Sequence, residues 1–353
     1  IEMKKILFTA LLSGLTILSF AQVTDNEAAL RANNVAADST SGWKFGGMTN
    51  VQFTNTRLYN WAAGGDNSIA VNGVGSVFAN YKKNKNAWDN SLTVGYGIMR
   101  QGDKTFVANN KEYDRPFKKT DDKIEFVSKY GRQAFKNWYY AALVDFKTQM
   151  TEGKNYIGDT TYDVISKAMA PAYLTGGIGL DFKPDNYFSL YISPITARFI
   201  FVTDQDLADA GAFGVDPAEY FKNAAGDADS LNTDGTKFKK LTDGKNMKTE
   251  FGGYIRLQYT RTEWNAEWMK NIGFTTKLNL FSNYLENPQN VDVDWETLIT
   301  WKIYKFFNIS FNTHLMYDDD TKTNVTDDMG VTTVRGPKVQ FKEILGIGFN
   351  YSF

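Results

Sequence analysis

The residue best suited to chemistry in this 353-residue chain is His314, its single histidine. Hydrolytic catalysis needs such a base beside a hydroxyl nucleophile and an orienting acid. In "ISFNTHLMY" (309–317) the residues two places away on the same face are Asn312 and Met316, and neither is an acid. His314 therefore reads as a hydrogen-bonded filler, and no enzyme is expected. Cysteine is absent, which removes thiol chemistry, disulfides and sulfur-ligated zinc. "DADSLNTDGTKF" (227–238) offers Asp227, Asp229, Asn232 and Asp234, but its spacing departs from a calcium loop and no Glu closes it. It reads as a solvated loop, as does Asp318-Asp319-Asp320, so no metal and no cofactor are expected. The remaining candidates are the charges Glu250, Arg256, Asp292, Asp294 and Glu296, each alternating with apolar neighbours.

That alternation defines the elements that carry them. In "EFGGYIRLQYTR" (250–261) Phe251, Ile255, Leu257 and Tyr259 share one parity, and Glu250, Arg256 and Gln258 the other. "VDVDWETLITWKIY" (291–304) sets Val291, Val293, Trp295, Ile299, Trp301 and Ile303 against Asp292, Asp294, Glu296 and Lys302. The last residues, "KVQFKEILGIGFNYSF", place Val339, Phe341, Leu345, Ile347, Phe349, Tyr351 and Phe353 on one face. Period-2 patterning of this kind marks strands with one apolar and one polar face. About 12 such strands are readable along the chain.

A secreted β-sandwich and a membrane β-barrel both fit a composition of 15% aromatics, 29 Gly and negative mean hydropathy. The connections separate the two. They alternate between short turns ("KNKN" 83–86, Lys136-Asn137, "PDN" 184–186, Phe307-Asn308) and long segments (102–121, 151–171, 203–246, 318–337). Aromatics gather at the short-turn ends: Trp43, Trp88, Trp138, Tyr139, Phe182, Tyr187, Trp264, Trp268, Phe306 and Phe353. Short turns on one side, long loops on the other and an aromatic girdle describe an all-β transmembrane antiparallel barrel with short periplasmic turns and long extracellular loops. Both termini are then periplasmic. The final Phe353, behind alternating apolar residues, also resembles the signal read by the barrel-assembly machinery.

From Met3, two lysines precede the apolar run Ile6–Phe20 and the small residues Ser19 and Ala21, the layout of a cleaved signal peptide. Residues 1–21 are assigned to it, 22–42 to a flexible periplasmic lead segment, and 43–353 to the barrel. A formal net charge of -1 gives no reason to expect a nucleic-acid partner. The expected partners are outer-membrane lipid and lipopolysaccharide, the assembly machinery and an envelope protein.

"LYNWAAGGDNSIAVNG" (58–73) is the first long connection, with Trp61 at the lip, Gly64-Gly65 as the bend, and Asp66 and Asn67 able to bond back to the turn. Pro194, inside a strand, implies a bulge or a missing ladder bond. After it, "LADAGAFG" has the makings of a short helix in a loop long enough to enter the lumen. "NWAAGGDNSIAVNG" together with "YISPITARFIFVTDQDLADAGAFGVDP" (191–217) resembles a Bacteroidetes outer-membrane family catalogued as a domain of unknown function, the DUF3078-like family. The resemblance implies the barrel and its location, extends over residues 43–353, and transfers no catalytic residue.

Two functions fit this reading: a small-solute, porin-like channel, or a structural barrel with a closed lumen that partners an envelope complex. The mature chain is expected to begin near Gln22 and to fractionate with the outer membrane. A tag at Asn232 should be reachable on intact cells and one at Asn84 should not. Recovery in the soluble periplasm, or labelling at both sites, would overturn the barrel.

Overall fold

A chain whose every second residue is apolar buries its polar backbone in hydrocarbon only by closing its sheet, since an open edge would leave unpaired N–H and C=O groups. The computed structural model shows that closure: a ring of twelve antiparallel strands. It describes residues 41–58, 66–102, 104–108, 111–156, 162–185, 187–221, 240–262, 264–304, 307–318, 323–326, 332–335 and 337–352. The signal and most of the lead segment, Trp61, Gly64, Gly65, the 227–238 acidic run and Phe353 lie outside them.

The ring consists of β1 Gly42–Thr56, β2 Ser68–Lys83, β3 Asn86–Gln101, β4 Lys118–Phe135, β5 Trp138–Thr148 and β6 Ala172–Phe182. It continues with β7 Phe188–Phe201, β8 Met247–Arg261, β9 Ile272–Asn283, β10 Val291–Tyr304, β11 Phe307–Tyr317 and β12 Gln340–Ser352. Each strand pairs with the next, and β12 returns to β1 with Met48 opposite Ser352 and Gln52 opposite Gly348.

The faces are inverted relative to a soluble protein. Outward rows expose Phe53, Ile178, Trp295, Trp301 and Ile347. Inward rows bury Asn50, Gln52, Glu125, Asp145, Glu250, Arg256 and Glu296. A lipid-facing band and a polar interior produce this pattern. At the short-turn ends the outward aromatics stack on one another: Trp43 lies 5.2 Å from Tyr81 and 5.6 Å from Trp88, and Trp138 lies 4.8 Å from Phe182. Tyr139, grouped with the girdle on sequence, falls instead on the inward row of Ala141 and Leu143, with Lys183 over its ring. The tight turns use Asn84 (φ 53°) and Asn137 (φ 66°), left-handed positions that Asn tolerates.

The long connections hold more structure than their sequence implied. Four carry two-stranded antiparallel pairings: Thr105–Ala108 with Lys111–Asp114, Gly153–Tyr156 with Tyr162–Ser166, Glu219–Tyr220 with Lys240–Thr242, and Thr323–Thr326 with Thr332–Arg335. A helix does form, but earlier than "LADAGAFG" implied: Ala212–Gly214 make only a 3-10 turn, and α1 spans Gln205–Asp209, with Asp204 as N-cap accepting from the Leu207 N–H at 3.1 Å. Its apolar side, Leu207 and Ala208, packs with Ala170, Val202 and Val215, so the described part of this loop docks on its neighbour. Asp209 is pushed up by partial desolvation but brought down to about 2 by hydrogen bonds from Lys240, Gln205 and the Gly244 N–H. A depressed carboxyl contributes stability above its unfolded value and loses it as pH falls through the folded one, so this clasp holds down to strong acid.

Pro194 sits at a bulge. The pairing register shifts between Ser193 and Thr196, and Pro194 and Ile195 are both exposed. Before the bulge Ser189, Tyr191 and Ser193 point inward; after it Thr196, Arg198 and Ile200 do.

Ile178, in the middle of β6, is 67% exposed on the outward face. Ile178→Lys is expected to cost roughly 2–4 kcal/mol in urea unfolding from lipid vesicles, as for a cation near a bilayer midplane. A change within about 0.5 kcal/mol, the ordinary range for a soluble surface, would remove lipid from that face.

Candidate functional site: a charged lattice across the lumen

The inward rows of β4, β5, β8, β9, β10 and β11 bring together Lys123, Glu125, Asp145, Lys147, Arg256, Lys277, Asp294, Glu296 and His314. Lys277 lies 3.4 Å from Glu125 and 3.6 Å from Glu296. Lys147 lies 3.3 Å from Asp294 and 3.6 Å from Glu125. Lys123 lies 2.9 Å from Glu125 and 3.8 Å from Glu296. Arg256 donates to Asp145 at 2.9 Å. In the ring, β4 and β10 are diametrically opposite. The Lys123–Glu296 contact thus spans the lumen, and the β4–β9 and β5–β10 contacts nearly do.

These bridges divide the interior. On the β6–β8 side Val127, Ala141, Leu143, Tyr191, Tyr254 and Phe281 form a buried apolar cluster. On the β11, β12 and β1–β3 side the lining is mostly small, neutral and polar: Asn50, Gln52, Asn72, Ser76, Thr93, Asn308, Ser310 and Asn312, with Met48 and Val74 among them. Gln52 donates to Ser310 at 2.9 Å, and Ser76 and Thr93 share a 2.5 Å hydrogen bond. The side-chain oxygens of Asn50, Gln52, Asn308 and Asn312 are buried with no protein hydrogen-bond partner.

Two further groups flank the lattice. Toward the long loops, Arg198 donates to Glu250 and, at 2.6 Å, to Asp292, while Lys248 lies 3.0 Å from Glu250. Toward the short turns, Lys129 lies 2.7 Å from Asp181, and Lys183 bridges Asp181 at 3.3 Å and Asp89 at 2.9 Å. Acids and bases balance in each of these two groups, and in the central lattice apart from His314.

The sequence candidates Glu250, Arg256, Asp292, Asp294, Glu296 and His314 all face inward; Arg256, Asp294, Glu296 and His314 fall in the central lattice, and Glu250 and Asp292 meet in the Arg198 group. Lys302, placed on the polar face by alternation, is exposed near its strand end. Arg198 was missed, because the bulge at Pro194 reverses the parity that alternation alone assigns to it. For His314 the same-strand reading of its neighbours needs correction: Nε2 lies 2.8 Å from Asp294 Oδ1 and 3.6 Å from Glu296, across the strand pair. The acid comes from β10, and a hydrolase would further require a hydroxyl or water on the ring. The described polar partners of His314 are these carboxylates. The donor atoms of Asp294, Glu296 and His314 lie within 4.8 Å of one another, near enough for a divalent ion. Both carboxylates are already engaged by lysine ammoniums, a competing charge that a metal would have to displace.

At the first long connection, Asn67 ties strand ends together: its Oδ1 accepts from Leu58 N–H and its carbonyl from Gly102 N–H, both at 2.7 Å. Asp66 accepts from Gln101 at 3.3 Å.

Residues 53–154 match the family model described as "Protein of unknown function (DUF3078)". The match includes the "NWAAGGDNSIAVNG" stretch; the 191–217 stretch lies beyond it. No curated protein matches the chain. Among solved structures, the COG4313 outer membrane channel from Pseudomonas putida F1 is 8% identical, with a TM-score of 0.36 over 94% of this chain and 100% of that one. The translocator domain of autotransporter NalP from Neisseria meningitidis is 8% identical, with a TM-score of 0.33 over 92% and 94%. Outer membrane phospholipase A from Escherichia coli is 10% identical, with a TM-score of 0.31 over 91% and 97%. Likeness at this level transfers no activity.

Lys277 is 4% exposed and Glu125 1%. Removing Lys277 leaves Glu125 held by Lys123 and Lys147 but takes one cation from a buried lattice of four acids and four bases, so Lys277→Met is expected to cost roughly 3–5 kcal/mol. Lys277→Met combined with Glu125→Gln should recover much of that loss in vesicle unfolding. Equal stability of the single and double variants would show that the bridge carries no coupling.

Proposed function

We propose that this protein is an outer-membrane barrel that passes small, uncharged polar solutes through one half of its lumen, with the ion-pair lattice as the wall dividing that half from the plugged one. The diametric Lys123–Glu296 and near-diametric Lys277–Glu125 contacts carry this reading. They block a wide aqueous pore, and the half of the interior beyond them is lined by amides and hydroxyls. Buried amide oxygens without protein partners favour water or a hydroxylated solute there. Balanced lattice charges leave little selectivity for either sign of ion. In this reading long loops face outward, the termini face the periplasm, and the barrel performs no catalysis.

The second reading is a closed structural barrel that acts through its loops. The direct Gln52–Ser310 hydrogen bond favours it, since it narrows the polar half. Liposome swelling with small sugars and planar-bilayer conductance of the purified protein distinguish the two. The channel reading expects swelling with small sugars, small weakly selective conductance, and loss of both in Ser310→Phe. Silence in the wild type and in Gln52→Ala would establish the closed barrel.

A further inference from the structure

The outward face of β1–β3 at the long-loop end departs from the apolar band below it. A cavity of about 250 Å³ opens there, lined in part by Asn55, Arg57, Asn67, Ile69, Arg100 and Lys104. Among its described lining residues three are cations and none is a carboxylate. Arg100 is anchored with its guanidinium 4.9 Å from the centre of the Phe117 ring. Asn67, through its two backbone clamps, holds the ends of β1 and β3 on either side of the cavity. Gly102, at φ +88°, brings the backbone beneath Arg115, whose Nε would lie 2.9 Å from a Cβ there.

A trough continues from this cavity down the same strand. Ile69, Val71, Gly73 and Gly75 occupy successive outward positions of β2. Val71 pairs with Phe53 and Ile98, Gly73 with Val51 and Tyr96, and Gly75 with Thr49 and Val94. A Cβ built on Gly73 or Gly75 meets nothing within 4 Å, so these glycines are not demanded by packing. They leave a notch between Val51 on one side and Tyr96 and Val94 on the other, all exposed. From Ile69 to Gly75 the strand rises roughly 20 Å at about 3.3 Å per residue, somewhat more than one leaflet's share of a hydrocarbon core about 30 Å thick.

We propose that this face is a binding site for a phosphorylated membrane amphiphile, its phosphate held by Arg57, Arg100 and Lys104 and one acyl chain lying in the Gly73–Gly75 trough. Guanidinium groups suit phosphate because their planar donors match its oxygens. The basic cavity lies where headgroups meet the apolar band, and the trough lies within that band. Charge complementarity above hydrocarbon complementarity, on one face of three neighbouring strands, selects an amphiphile over a free ion or a protein. The proposal rests on the barrel alone and not on solute passage through the lumen.

The test uses the full-length protein in zwitterionic phosphatidylcholine nanodiscs, with binding read by native mass spectrometry. The probes are diphosphoryl lipid A, its dephosphorylated form and inorganic phosphate. The wild type is expected to prefer the diphosphorylated lipid by at least about tenfold, the scale of one lost charge-assisted hydrogen bond. Arg100→Ala with Lys104→Ala should erase that preference. Gly73→Leu with Gly75→Leu points into open space and should fold normally, shown by unchanged gel mobility before and after heating. It should lose lipid A binding at least several-fold. No preference for the phosphorylated lipid, or equal binding by both double variants and the wild type, would overturn the site. Inorganic phosphate competing as well as the lipid would reduce it to a free-anion site and overturn the amphiphile.

Discussion

The whole structure depends on the rule that a backbone N–H or C=O cannot be left unpaired in hydrocarbon. Twelve strands satisfy it only because β12 finds β1. Closure then dictates the rest. Each strand crosses once, so turns fall alternately at the two ends, and the side-chain period of two sends every second residue to lipid. Exposed Ile, Phe and Trp on the outside and buried Glu, Lys and Arg on the inside are consequences of that one requirement.

Closure also creates the electrostatic problem inside. A ring of this size encloses more space than an eight-strand barrel fills with side chains and less than a wide porin holds open. Charges placed there are taken out of bulk water and must be compensated within the ring. The compensation is reached across the lumen as well as between neighbours: β4 answers β9 and β10, and β5 answers β10 and β8. Such contacts draw opposite walls together, and they divide a round interior into an apolar half and a polar half. The buried bridge is better understood as setting this division than as a source of net stability, since apolar packing in its place is often no less stable.

Much of this was legible in the sequence because alternation is a local property. The parities of Glu250, Arg256, Asp292, Asp294 and Glu296 follow from their own strands, and the lengths of connections follow from where alternation breaks. What remained hidden is relational. Alternation says that Lys123 and Glu296 face inward; it does not say that they meet, because that depends on strand number, shear and register. His314 shows the same limit, as its acid lies on the adjoining strand. Arg198 was hidden for a different reason: a two-residue bulge at Pro194 and Ile195 resets the phase of β7, and a phase read from Tyr191 sends Arg198 toward lipid. Pro194 carried the signal, for a proline within a strand implies a break in the ladder, but the sense of the shift appears only in the pairing with β8. The loop pairings were missed because strands of two to five residues are too short to show a period.

The distribution of charge around the ring then has a physical meaning. The chain is nearly neutral, and each inner group is nearly neutral by itself. A further set of cations near β1–β3, Arg57, Arg100 and Lys104, sits at the end of the strands, outside the lumen. A cation just above an apolar band is favoured wherever the neighbouring headgroups are anionic, and it fixes how deep the barrel sits. The same arginines in the lumen would have needed acids opposite them, as Arg198 and Arg256 do. Interior charge is constrained by protein partners across the lumen, whereas the cations at the lip lie beside the lipid-facing band, where membrane headgroups act on them as well.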